Sequence, residues 1–538
     1  MRIDPSASLC NLLQSYAGTF SDGAPPNWKF KRQGNNWEIS FPNSAVVRTE
    51  DLLDPKTWSV HPEKDANTTI LWRNSLAYLP RLIESAESDE ETIELVAQIV
   101  ESFIAWQDMS ISLDIDSLRS GSLDHQSALR IRSLLWIISY LERNLMQEVE
   151  KFRELYGRMF AAENRLLSEF SLFQPNNHGI MLGIAHLHAE TLMPSPESDM
   201  NALKWIEALY STFNEIIDSD GIASENTPSY QIFYVMLLED LVLFIAWSRM
   251  LGTRARLFQL LLRSAELGVR RQLLPSGAVP PLGDSPGGMQ YRFKPVLGLL
   301  YSPENGLAVR TSSNEYIAYI AGFRSVIHKQ IDDLSFSWWR NGRFILRDAG
   351  LLNYDTKDQV AVDMRGSKGH SLPTYRNLDS WTTKNTISYG RNSSRLRAEF
   401  TGVENSSSNL AISAKLHLDD SVIITRSLEH RAELGVKIVD SFLASNRGEP
   451  LVRFLLDPET IITYRQDGDI GIRSGEEDLR VCFKASSGIL NFDINPSFVA
   501  LEHNRKAKTN EIVLTVTSAE YPVRVETSIV ITNHGKCL

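Results

Sequence analysis

Apolar residues recur every three or four positions through long blocks of the first half of the chain: Ile70–Ile83, Ile131–Leu145, Leu155–Phe173, Ile180–Leu192, Ala202–Ile217, Ile232–Leu251 and Leu257–Leu274. That spacing lines one face of an α-helix, so each block predicts a helix with a buried stripe. Breakers such as Asp218–Gly221 and Leu251–Thr253 are short, and short connections join antiparallel neighbours. The prediction is a stack or ring of helical hairpins.

Near residue 290 the pattern changes. Pro275–Gly288 (PSGAVPPLGDSPGG) is dense enough in Pro and Gly to end the helical region. Beyond it apolar and polar residues alternate in short runs, as in Val422–Leu428, Val436–Phe442, Val452–Leu456 and Glu511–Thr517. Alternation over more than two hundred residues predicts an antiparallel β-sandwich. The expected division is residues 1–60 as a wrapping segment, 61–290 as the helical domain and 291–538 as the sandwich, an α+β multidomain chain.

His328–Gly350 (HKQIDDLSFSWWRNGRFILRDAG) is the most informative stretch. Asn341-Gly342 between apolar-rich flanks predicts a two-residue type I′ hairpin. If the entry is extended, His328 and Gln330 point the same way and Asp348 lies near the end of the returning strand, forming a site wall. Alternation sends Trp338 and Trp339 to opposite faces, so at least one belongs to the core.

Composition narrows the class. The chain has 538 residues and a net charge of −11, enough length for several domains and the wrong sign for a general nucleic-acid binder. An anionic ligand is still compatible, because a local cationic cluster can reverse the field inside a cleft. Cys10, Cys482 and Cys537 are too few and scattered for a disulfide framework or zinc ribbon. The N-terminus lacks a basic start followed by an apolar core, and no later run reaches the length of a membrane span by inspection. A cytoplasmic location and no membrane insertion are the expectation, with a periplasmic or secreted location as the alternative.

Chemistry-bearing residues fall in four groups: Asn176-Asn177-His178-Gly179, Glu225–Gln231 (ENTPSYQ), Gly283-Asp284, and His328–Gly350 with Gly369-His370. Each has an ordinary reading. Asn177 could serve as a helix cap, and Tyr230, followed by Phe233 and Tyr234, could be a core aromatic.

Taken together, these groups resemble the heparinase II/III-like family. Asn176–Gly179 is similar to its NNHG helix start, and Asp220-Gly221 with Glu225, Pro228 and Tyr230 to its DG…E.SP.Y segment. His328-Lys329 with Asp332–Phe336, Asp348–Gly350 and Tyr354 resemble its HKHADDLSF and DPGT.SYD blocks, and Arg365–His370 the segment leading to its Arg…His-Asn pair. The resemblance implies an incomplete (α/α) toroid followed by an antiparallel β-sandwich. It also implies β-elimination of a uronic-acid-containing acidic polysaccharide or oligosaccharide. By resemblance Asn177 and His178 neutralise the uronate carboxylate and Tyr230 and His328 transfer protons, with Glu225, Gln231, Arg324 and Arg365 as substrate-binding residues. The chemistry suits these residue types, since removing the proton beside a carboxylate requires its charge to be neutralised and departure of the glycosidic oxygen requires an acid. Arg324, Arg340 and Arg365 are the candidates for positive charge near Tyr230.

The chain departs from the family at Gln231, at Gln330 and at Ser371. Family members hold a structural zinc with residues that correspond here to Gln330, Asp348 and His370. Glutamine is a poor zinc ligand, so no cofactor is expected to be required, with structural zinc as the alternative. Asp348 and His370 are then expected to bond to each other, with Gln330 completing the network. A glycan hydrolase or modifying enzyme of bacterial surface or capsular polysaccharide production, and a carbohydrate-binding pseudoenzyme, are the competing functions. Oligomeric state is not legible in the sequence.

Overall fold

The computed structural model describes residues 28–42, 45–60, 66–87, 89–113, 122–144, 146–248, 252–379, 396–418, 421–444, 448–466 and 468–532. Cys10, Cys537, residues 1–27 of the expected wrapping segment and the helix ends expected at Leu145 and Leu251 lie outside them. Among the described residues the chain is helical first and antiparallel β-sheet second: an incomplete (α/α) toroid followed by a β-sandwich. The helices are α1 (Ala66–Asn74), α2 (Leu79–Ser85), α3 (Glu90–Leu113), α4 (Leu123–Arg143), α5 (Val149–Phe170), α6 (Asn177–Leu192), α7 (Ser198–Ile216), α8 (Pro228–Ser248) and α9 (Gly252–Gln272). The block expected as one helix over Ile70–Ile83 is two, broken where Leu76 adopts a positive φ of 56°.

Two compact units emerge, and they interleave along the chain. One takes in the chain to Ile216 together with Phe233–Arg263; the other is Ile217–Ile232 with Ser264–Leu538. The composition change near residue 290 is therefore not where the units part: the first residues of α8 and the last turns of α9 group with the strands.

In the helical unit α6 packs on α4 and α7. Arg130 of α4 and Glu163 of α5 form a bidentate pair that is almost fully buried. His186 of α6 stacks on Trp205, with ring centroids 4.8 Å apart, and contacts Phe160. Burial pushes His186 down to about 4, against a smaller opposing effect of Glu163, and pushes His188 well below its ordinary value. Both fold as neutral imidazoles, whereas the unfolded chain takes up protons near pH 6.5. Stability is thus complete above about pH 6.5 and is lost as pH falls toward 4, by about 3 kcal/mol from His186 alone. Thermal melts across this range should show that fall, and His186→Phe should make it shallower, His188 accounting for part of what is left. An unchanged slope in the variant would contradict this assignment.

α8 corrects one sequence expectation. It is 21 residues long and apolar enough to cross a membrane, but most of it is buried inside the protein, as in the core helix of a soluble domain. Its Asp240 lies 3.5 Å from the buried Arg132.

In the second unit five strands follow in chain order, Gly298–Ser302, Leu307–Thr311, Glu315–Ile320, Phe336–Arg340 and Arg343–Leu346, each antiparallel to the next. An eight-stranded sheet runs Leu396–Asn405, Asn409–Leu418, Ser421–Arg431, Gly435–Phe442, Val523–Ile531, Glu477–Ala485, Asp469–Ser474 and Ile461–Gln466. A four-stranded sheet is built on Ile489–Glu502 and Arg505–Thr517. All three contribute to one buried core, from Trp338 through Ile438 to Phe454 and Leu514. The Asn341-Gly342 turn has φ of 47° and 94°, as a type I′ hairpin requires. Trp338 and Trp339 are both buried, in different clusters on the two faces of their sheet, so both belong to the core.

Candidate active site

Tyr230 occupies the first turn of α8, which starts with Pro228, a residue suited to a position whose N–H has no helical partner. The next orphan donor, the Ser229 N–H, is satisfied by the Ser285 hydroxyl at 2.9 Å, and Ser285 also bonds Thr227 at 2.7 Å. The Pro/Gly loop is thereby pinned to the helix start. Gly283 holds a positive φ of 54°, and a Cβ there would sit 2.6 Å from the Asn226 carbonyl, so only glycine lets the loop approach this closely. Its neighbour Asp284, 3 % exposed, is carried to the same place.

His328 arrives from the other side of the sequence. It does not enter a strand as expected: its φ is 57°, and the strand begins only at Phe336. Asn226 fixes this turn by donating to the carbonyls of Ser325 and Ile327 at 2.7 and 2.8 Å. Lys329, buried, pairs with Asp332 and with Asp333, and Asp333 in turn accepts from the Gly322 N–H. The DDLSF block is thus a clamp behind the site.

The cluster that results is compact. The His328 ring stacks on the Tyr230 ring with centroids 3.7 Å apart. Its Nδ1 lies 3.0 Å from Asp284 Oδ2 and its Nε2 3.5 Å from Glu225 Oε2. Tyr354 donates its hydroxyl to Asp284 at 3.0 Å and lies 3.4 Å from the Tyr230 hydroxyl. A hydroxyl has one proton and an ionised carboxylate has none to give, so Tyr354 donates to Asp284 and accepts from Tyr230. Tyr354 is 46 % exposed as a residue, yet its hydroxyl is held well above the usual phenol range, first by lost solvation and then by Asp284 and Tyr230. The Arg365 guanidinium lies 6.0 Å from the Tyr354 ring centre.

Other expected site residues fall elsewhere. Gln231 is not a substrate contact: it is buried, and its amide accepts from the Ala223 N–H and donates to the Gly221 and Ala265 carbonyls at 2.7 and 3.1 Å. Glu225 is buried and turned to His328 rather than outward. Arg340 is committed to Glu315 and Glu477, and Arg324 is exposed. Asn177 and His178 belong to the helical unit. Asn177 is the first residue of α6 and Asn176 is the cap, accepting from the Gly179 N–H at 3.0 Å. His178 Nδ1 lies 3.2 Å from Asp124. The neighbouring His125 is pushed down to about 3, chiefly by lost solvation and then by His178. Asp284 was visible in the sequence only as a polar residue in a loop, and Tyr354 only through the family resemblance.

Residues 319–531 match the family model described as heparinase II/III-like, C-terminal. The match identifies a heparinase II/III-like C-terminal domain over that stretch of the chain. A search of curated protein sequences finds no match. Among solved structures the chain is similar to one described as heparinase III, with a TM-score of 0.66, 14% identity and coverage of 99% of this chain and 85% of that one. It is also similar to heparan sulfate lyase HepC from Pedobacter heparinus, with a TM-score of 0.62, 14% identity and coverage of 98% and 88%. At this identity the likeness establishes the shared fold.

At the positions of the zinc set that the resemblance implies, His370 and Asp348 pair with each other and Gln330 turns to Asp284. His370 Nδ1 bonds Asp348 Oδ2 at 2.8 Å, both groups being buried. Burial disfavours charge on His370, but Asp348 outweighs it and holds the imidazole above its ordinary value. The other Asp348 oxygen accepts from the Gly350 N–H. Gln330 does not complete this pair as expected: its amide donates to Asp284 at 2.7 Å. Two buried atoms of this set have no hydrogen-bond partner, Gln330 Oε1 and His370 Nε2, but a neutral amide oxygen and one imidazole nitrogen are not a zinc donor set. Among the described residues no group of three His, Cys, Asp or Glu side chains is placed to hold a metal ion. Treatment with a chelator is expected to leave the melting temperature unmoved, whereas a retained structural metal would make it fall sharply.

Proposed function

We propose that this protein is a polysaccharide lyase that cleaves a uronic-acid-containing polysaccharide by β-elimination. The observation that carries this reading is the Tyr230–His328 stack at 3.7 Å, which places a phenol and an imidazole side by side with their polar atoms supported by Asp284, Glu225 and Tyr354. The solved relatives described as heparinase III and as a heparan sulfate lyase support it.

In this reading His328 Nε2 takes the C5 proton of the uronate. The C5–H electrons form the C4=C5 double bond as the C4–O bond breaks, and Tyr230 gives its proton to the departing oxygen. The imidazolium left on His328 lies between Asp284 and Glu225, two buried carboxylates that stabilise it. It returns its proton to the tyrosinate, so no water is consumed. Asn177 and His178 are proposed to bind the substrate carboxylate with the start of α6, where backbone donors and the helix dipole favour an anion. Hydrolysis fits less well. Both carboxylates of the cluster are 2–3 % exposed and face His328, so neither is set as acid or base against a glycosidic bond. Product masses test this directly: elimination fragments sum to the substrate mass, and hydrolysis fragments exceed it by one water per cut.

A further inference from the structure

We propose that Asp284 is the positioning residue of this site, and that Gln330 holds Asp284 in place instead of binding an ion. The inference rests on the lyase reading for its kinetic arm alone. Asp284 is 3 % exposed and accepts three hydrogen bonds: Gln330 Nε2 at 2.7 Å on Oδ1, and His328 Nδ1 at 3.0 Å with the Tyr354 hydroxyl at 3.0 Å on Oδ2. Each has a definite consequence. A carboxylate cannot donate, and Asp284 at 3.0 Å from Nδ1 is closer than Glu225 at 3.5 Å from Nε2, so the ring's proton is placed on Nδ1, leaving Nε2 with the lone pair that a base needs. The bond to Tyr354 orients the hydroxyl that accepts the hydrogen bond of the resting Tyr230 hydroxyl. The bond from Gln330 occupies the other oxygen and fixes the rotation of the carboxylate, so that one oxygen serves both His328 and Tyr354.

Gln330 thereby explains its own departure from the family pattern. A histidine ligating a metal there would have its nitrogen turned to the ion, whereas the glutamine amide points to Asp284, and Asp348 and His370 satisfy each other directly at 2.8 Å. A metal-held pair has been exchanged for a hydrogen-bonded one, and the freed position supports the acid–base cluster. Ser285 bonds Thr227 and the Ser229 N–H at the start of α8, and Gly283 lies close against the Asn226 carbonyl, so Asp284 is held from both sides.

The test compares wild type with Asp284→Asn, Gln330→Ala and Gln330→Glu. Steady-state kinetics on a uronic-acid polysaccharide should show kcat lowered by roughly 10–100-fold in Asp284→Asn and about tenfold in Gln330→Ala, with KM within about twofold. Gln330→Glu, which sets a carboxylate against a carboxylate, should fall below Gln330→Ala. The second readout needs no substrate. In protein labelled with nitrogen-15 histidine, with His328 assigned by its absence in His328→Gln, the resting ring should carry its proton on Nδ1, and Asp284→Asn and Gln330→Ala should shift it toward a mixture of tautomers. A wild-type proton on Nε2, or kcat and tautomer unmoved in all three variants, would overturn the proposal. Stoichiometric zinc in the purified wild type, lost in Gln330→Ala, would overturn it too. If the wild type cleaves no uronate polysaccharide, the lyase reading fails, and the tautomer measurement still decides the role of Asp284.

Discussion

Tyr230→Phe is expected to lower the elimination rate by about 10²–10⁴-fold, the range associated with losing one positioned acid–base group, while the protein stays folded. The substitution keeps the ring that stacks on His328 at 3.7 Å and removes only the hydroxyl, whose contact with Tyr354 is a long 3.4 Å. Glycan affinity should therefore persist, because the apolar face and the loop pinned by Ser285 are unchanged. Kinetics and a binding titration on the same preparation check both halves. A variant that retains wild-type turnover would remove Tyr230 from the chemistry, and one that loses affinity and melting temperature together would make it a structural aromatic.

The largest expected effect on stability lies behind the site. Arg426 is fully buried and bonds both oxygens of Asp440, at 2.6 and 2.9 Å, as well as the carbonyls of Leu334 at 3.0 Å and Ser371 at 2.7 Å. Arg426→Met keeps much of the volume but strands a buried carboxylate and two buried carbonyls. Burial already holds Asp440 above the ordinary carboxylate range despite Arg426, so the loss leaves a charge with nothing to answer it. Breaking such a pair costs about 3–5 kcal/mol, and the melting temperature of this unit should fall by roughly 5–8 °C. The two carbonyls belong to the turn after Lys329–Asp333 and to the residue after His370, so kcat should fall as well. A shift of only a degree or two would show that the pair is solvated in practice.

The parts of the fold fixed by local chemistry were legible. The Asn341-Gly342 hairpin is dictated by two positive φ angles that few residue pairs tolerate, and the helices follow from periodic apolar stripes. α3 carries such a stripe in Ile93, Val96, Ala97, Val100 and Phe103, yet it was missing from the predicted blocks. Tyr230 and His328, singled out through the family resemblance, are brought together by the fold with ring centroids 3.7 Å apart. The site was obscure where role depends on distant partners. Asp284 acquires its function from residues 44, 46 and 70 positions away, and nothing in a Pro/Gly loop announces them. Gln231 was misplaced for the opposite reason. A polar residue beside a site tyrosine suggests a substrate contact, but on a helix adjacent residues point about 100° apart, and Gln231 turns inward to the main chain.

The most direct test of the account follows ultraviolet absorbance while the purified protein is incubated with a panel of uronic-acid polysaccharides, alongside Tyr230→Phe. The account predicts a rise from the conjugated 4,5-unsaturated uronate with at least one substrate, abolished by the variant. New reducing ends without that absorbance would establish hydrolysis and contradict it.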